Sequence, residues 1–210
     1  MPPRPQPLLS RLLLLAGCVV PAVQAENGSS FETLSGPDLP TEAAAFIPAG
    51  MRPIVYERGD LDGDGREDAI LVLEARKARD VDGMAQRLRP LLVLTRDARG
   101  KLRQRARNDR LVLCPECGGM MGDPLQDVTV ERKAFSVSHY GGSGWRWSNL
   151  HRFAYSRRDD TWQLVRIEEG SFHASDPESG TETVRLPPRD YGKIDIADFD
   201  PDTLPKPGKR

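Results

Sequence analysis

Cysteine, aromatic side chains and a surplus of either charge are all scarce in this chain. Three cysteines in 210 residues exclude the dense disulfide framework that lets small secreted domains do without a core. With 30 basic and 31 acidic residues and a net charge of −1, no basic field marks nucleic acid or an anionic membrane as a partner. Without residues 1–25, which carry Arg4, Arg11 and no acid, the charge is −3. The only long apolar run lies near the N-terminus and is too short to span a bilayer, so no transmembrane segment is expected in the mature chain. What is present, 38% apolar and 29% charged residues, describes a globular protein long enough for one well-buried core.

Arg4 and Arg11 followed by the apolar run around Leu12, Leu15 and Val20 have the charge and length pattern of a signal peptide over residues 1–25. Two processing routes are open. Small residues at Ala22 and Ala25 offer a cut that leaves a soluble, exported protein, periplasmic or extracellular. Residues 15–18, LAGC, also resemble a lipobox, which would make Cys18 a lipid anchor. Residues 26–40 are polar and turn-rich and read as a flexible lead-in.

Residues 41–200 read as a single domain, mainly β, with at most one or two short helices. Residues 41–47 fit one such helix, capped by Thr41 and ended by Pro48. Ile54, Val55 and Tyr56 suggest a strand, and residues 69–73, AILVL, a strand buried on both faces. Residues 75–89 lack a clean period and read as an excursion loop or short helix. Three antiparallel hairpins follow: residues 91–95 turning through 97–100, Val128 and Val130 against Phe135 and Val137, and Phe153 and Tyr155 against Trp162 and Leu164. The expected architecture is sandwich-like or propeller-fragment-like. The stretch from Pro201 onward, residues 201–210, is expected to be loose.

Residues 60–68, DLDGDGRED, place carboxylates at alternate positions around a glycine turn. A hard cation such as Ca2+ takes roughly six to eight oxygens, and this spacing supplies them from one short segment. Asp60, Asp62 and Asp64 take the first, third and fifth positions, Gly65 the turn, the Arg66 carbonyl the seventh and Asp68 the ninth. The twelfth position is Leu71, where an EF-hand has its bidentate glutamate, and a strand follows in place of a helix. The spacing therefore predicts a weaker, structural calcium site suited to extracellular concentrations. Clustered carboxylates without a cation would repel one another.

This run, from Gly59 through Asp68 into an apolar strand, resembles the calcium loops of FG-GAP and integrin-α-type repeats. That resemblance implies a loop whose ion braces neighbouring strands, and it covers residues 59–73 in a single copy. Asp198, Asp200 and Asp202 echo the spacing but have Thr203 where glycine belongs, and read as a solvated acidic turn. Residues 117–124 and 140–147 are similar to segments of exported bacterial proteins of uncharacterised function that carry the same single loop upstream, which implies no activity.

Other chemistry has thinner support. Cys114 and Cys117 have CxxC spacing but lack a following helix, so a local disulfide or two buried thiols is expected ahead of redox chemistry. His139, His151 and His173 are too scattered for zinc. Ser143 sits in a glycine run with His139 nearby, yet Trp145 stands where a nucleophile elbow needs glycine. Trp145 and Trp147 share a strand face, as core or as an exposed platform that with Tyr140 and His139 could receive a ligand. The resulting expectation is a non-enzymatic calcium-binding module of the cell envelope, with an unknown envelope protein or a glycan as partner. A thiol-disulfide oxidoreductase or a Ser/His hydrolase is the alternative.

Overall fold

The computed structural model describes residues 39–205. The expected signal peptide over residues 1–25, Cys18, most of the expected lead-in and residues 206–210 lie outside that range. The chain folds as an antiparallel β-sandwich whose strands are β1 (Met51–Gly59), β2 (Asp68–Ala75), β3 (Arg79–Val81), β4 (Met84–Gln86), β5 (Leu91–Arg96), β6 (Leu102–Asn108), β7 (Leu125–Glu131), β8 (Ala134–Gly142), β9 (Trp145–Ser156), β10 (Thr161–His173) and β11 (Asp176–Arg185). One sheet has the order β1-β2-β5-β6 and the other β11-β10-β9-β8-β7, while β3 and β4 form a separate ribbon. No described helix is long and apolar enough to cross a membrane.

The core follows from strand alternation. Ile70, Val72, Leu91 and Val93 of the first sheet meet Val128, Phe135, Val137, Phe153, Trp162 and Ile167 of the second. Each contributes every other residue to the interior, as the pleat requires. β2 departs from alternation because its other face is covered too. Ala69, Leu71 and Leu73 pack with Leu92 and Leu94 beneath Leu39, Phe46, Ile47 and Met51. The continuous apolar run thus marks a strand between two apolar layers.

All three expected hairpins form, as β5–β6, β7–β8 and β9–β10. The excursion at residues 75–89 is neither helix nor plain loop: it holds the β3–β4 hairpin, turned by Asp82 (φ 52°) and Gly83 (φ 81°). Both central residues at positive φ suit the right-handed twist of a two-residue turn. The expected helix shrinks to α1 (Thr41–Ala44), with Thr41 already helical and Pro40 at the cap, where no side chain bonds. Residues 201–205, the described part of the stretch from Pro201, are also better fixed than their composition suggests. Pro201–Thr203 forms a 3-10 turn, Leu204 packs on the core, and Arg185 Nη2 donates to the Pro205 carbonyl (2.5 Å). Asp200 caps that turn by accepting from Asp202 N–H (3.0 Å), so one member of the acidic triplet serves as a local cap.

Candidate metal loop and its surroundings

The aspartate loop runs from the end of β1 to the start of β2. Asp60 holds its turn, accepting from Gly63 N–H on Oδ1 (2.7 Å) and from Gly65 N–H on Oδ2 (3.2 Å). Gly65 has φ 85°, a conformation that costs a residue without Cβ nothing. Asp62 accepts from Asp64 N–H (3.0 Å), and Asp64 accepts from Arg66 N–H (2.8 Å), so the alternate aspartates each close a small turn on the residue two ahead. Carboxylate oxygens of Asp60, Asp62 and Asp68 lie within 4.8 Å of one another. Asp64 stands outside that set, its carboxylate paired with the Arg66 guanidinium.

The carboxylates differ in their electrostatics. Burial pulls Asp60 upward, but the Arg132 guanidinium and the Gly63 and Gly65 N–H groups hold it below the usual aspartate range. Asp62 is raised by burial and by the neighbouring charges of Asp64 and Asp60. Asp68, almost wholly buried, is pushed up to about 6, chiefly by burial and further by Asp62 and Asp64, against the N–H bonds from Arg96 and Leu61. A buried anion facing two others is the arrangement a cation relieves.

The loop joins several parts of the fold. Leu61 is fully buried in the sandwich core, and its carbonyl accepts from Trp162 Nε1 (2.9 Å) at the start of β10. The Asp60 carbonyl accepts from Lys133 N–H (2.8 Å), and Arg132 Nε reaches Asp60 Oδ2 (3.2 Å), so the β7–β8 turn sits over the loop. A Cβ at Gly63 would collide with the Lys133 side chain. On the other side Asp68 accepts from Arg96 N–H (2.9 Å), Arg66 Nε donates to the Arg96 carbonyl (3.0 Å), and Arg96 Nε donates to the Glu67 carbonyl (2.9 Å).

The remaining sequence candidates scatter. Cys114 and Cys117 are joined by a disulfide, with Cys114 buried. The His139 ring is buried, with Nδ1 2.9 Å from Asn149 Oδ1 and Nε2 accepting from Leu113 N–H (3.3 Å). Those partners fix the neutral tautomer, and burial lowers the imidazole pKa further than the Asn149 bond raises it. Neither ring nitrogen is left for the exposed Ser143. Trp145 is 65% exposed, edge-on to His173, whereas Trp147 is half-buried against Gly141. Tyr140 points to the opposite face of the sheet from His139. The four expected ligand-binding residues therefore do not share one surface.

Sequence reading passed over Arg96, Arg132 and the Lys133 turn, since nothing local links them to the aspartates. It also passed over a buried ion network. Arg89 donates to Glu74 Oε2 through Nη2 (2.5 Å) and Nε (2.9 Å), and to Asp123 Oδ1 through Nη1 (2.6 Å). Arg52 and Arg87 complete the ring around Glu74. A lone glutamate near the end of an apolar strand was the available signal. Comparison of the chain with protein-family models, with curated proteins and with solved structures finds no match.

Proposed function

We propose that this chain is an exported, non-enzymatic β-sandwich module of the cell envelope whose two sheets are braced by a calcium ion in the Asp60–Asp68 loop. The observation that carries the reading is the convergence of the Asp60, Asp62 and Asp68 carboxylates within 4.8 Å. The donors are all oxygen, which suits a hard cation in preference to zinc or copper. The Arg66 carbonyl and water would add to the count, and Asp64 would join only by releasing Arg66. The single-copy likeness to FG-GAP loops supports the same assignment, since this loop also exits into a strand. Export rests on the N-terminal leader, and the partner is an envelope protein or a glycan.

A ligand that binds only the folded state raises the thermal midpoint by mass action. Millimolar calcium is expected to raise the midpoint and a chelator to reverse the change, while Asp62→Ala loses the response and stays folded. Asp62 suits this test because among the described residues its side chain makes only a turn bond, to Asp64 N–H. A midpoint indifferent to both calcium and chelator would overturn the site.

A further inference from the structure

The second sheet turns one face to the core, and its opposite face carries a groove of about 320 Å3. Because Val137, His139, His151 and Ile167 are buried, the alternate residues of the same strands project outward. They form two rows across the sheet. Ser138, Leu150, Glu168 and Val184 stand in one register, and Tyr140, Ser148, Gly170 and Glu182 in the next. All of them line the groove.

Three features mark this face as built to receive something. Gly170 lies well inside a long strand, where glycine weakens the strand unless another group must come close. A Cβ there would come 2.6 Å from Ser148 Oγ, so the glycine keeps the floor of the groove low. Val184 is left 45% exposed beside it, next to Leu150 and Glu168. Tyr140 is half-buried, and its hydroxyl and ring have no partner among the described residues. The volume falls at the small end of the range for ligand pockets, about 300–1,000 Å3.

The lining selects the ligand. It contains no lysine or arginine, which disfavours phosphate, sulfate and nucleic acid. Of its three glutamates Glu168 is paired with Arg166 (2.5 Å) and Glu169 with Arg185 (3.6 Å), which leaves Glu182 as the one lining carboxylate without an ion pair among the described residues, so the groove is not a strongly anionic trap for cations either. What remains is chiefly an aromatic ring, two aliphatic side chains, and neutral hydroxyl- and amide-bearing residues beside the carboxylates, set on strands about 4.8 Å apart. We infer that this groove binds a short, neutral oligosaccharide. The C–H face of a sugar ring would lie on Tyr140, and its hydroxyls would donate to Glu168 and Glu182 and exchange bonds with Ser138 and Ser148. The inference gives a ligand class to the binding role proposed above and rests on that reading only for the role, since the calcium loop lies elsewhere.

The test is an amide chemical-shift titration of the full chain with cellotriose, maltotriose and N,N′-diacetylchitobiose, each to roughly 10 mM, a weak but measurable affinity. At least one sugar is expected to shift amides in residues 138–140, 148–150, 168–170 and 182–184. Tyr140→Ala should weaken that binding tenfold or more, and Gly170→Thr should abolish it by filling the floor. Should Gly170→Thr fail to fold, Glu182→Ala, on an exposed side chain, takes its place with the same expected loss. Absence of shifts with all three sugars, shifts confined to other surfaces, or full binding by Tyr140→Ala would overturn the inference. Groove shifts produced by an oligolysine peptide and by no sugar would overturn it in favour of a cationic partner. The calcium-dependent midpoint is read on the same samples, so failure of the groove is separable from failure of the metal loop.

Discussion

His151 lies on the core face of β9 against Phe199, with ring centroids 4.9 Å apart, and its Nδ1 has no hydrogen-bond partner among the described residues. Burial, helped by His139 and Arg185, lowers its pKa to about 3. An unfolded histidine titrates near 6.5. Between those values the unfolded chain takes up a proton that the folded one refuses, so this residue's contribution is complete above about pH 6.5 and is lost as pH falls towards 3. By about pH 5 the loss is about 2 kcal/mol. Asp68 acts in the opposite sense in metal-free protein, because its folded pKa of about 6 lies above the unfolded value. Comparison with His151→Phe isolates the histidine: urea unfolding at about pH 7.5 and about pH 5 should show the parent losing about 2 kcal/mol more than the variant. Equal losses would mean that the imidazole is not held neutral. None of this was legible in the sequence, whereas the aspartate loop was. Asp60 and Asp62 are set by turns of two to five residues and Asp68 by a bond from Leu61 N–H seven residues back, a local pattern to which only the Arg96 N–H bond adds a distant partner. His151 owes its burial to Phe199 and Arg185, which only the finished sandwich brings near.

At the scale of elements the same division holds. Hairpins whose strands carry inward-facing apolar residues and a turn between them, such as β7–β8 around Lys133, can be read from the chain. β11 could not be, because DPESGTETVR lies exposed along almost its whole length and has no apolar alternation to betray it. The β3–β4 ribbon was hidden in the same way, although Asp82-Gly83 is a strong turn signal. The long loop between β6 and β7 is anchored by buried Leu111 and Val112 and by the Cys114–Cys117 disulfide, and charge fixes its far end. Arg89 is buried between Glu74 on β2 and Asp123 at the loop's end, and also donates to the Leu113 carbonyl (3.3 Å). Burial opposes ionisation of Glu74, but Arg52 and Arg89 keep its pKa below the usual glutamate range. Removing one partner of such a pair strands a buried charge, at about 3–5 kcal/mol. Arg89→Met is expected to fall at the lower end of that range, because Arg52 and Arg87 still face Glu74. Adding Glu74→Gln to it should cost less than the sum of the single changes. Chemical denaturation of the four proteins measures the cycle, and strict additivity would show that the two residues do not act as a unit.

For the whole molecule, the question is what couples two sheets that share no ladder. Apolar contact across the interior is the general answer, but the aspartate loop adds a specific one. Leu61 enters the core with its carbonyl on Trp162, the Asp60 carbonyl takes Lys133 N–H from the second sheet, and Asp68 takes Arg96 N–H from the first. A Cβ at Gly59 would come 2.6 Å from Val130 Cγ1, so β1 and β7 approach closely just before the loop. Leu61 thus ties the geometry of the carboxylates to the packing of both sheets. Leu61→Ala is expected to cost about 2–5 kcal/mol, the usual range for a buried leucine. It should also weaken calcium binding, because the loop then has to be ordered at the expense of binding free energy. Asp62→Ala should do the reverse, losing the calcium response with a small change in metal-free stability. Titration of calcium into the folded Leu61→Ala protein, followed by the thermal midpoint, separates the two. An unchanged calcium affinity in that variant would show that local turns alone set the loop and that the ion is not coupled to the joint between the sheets.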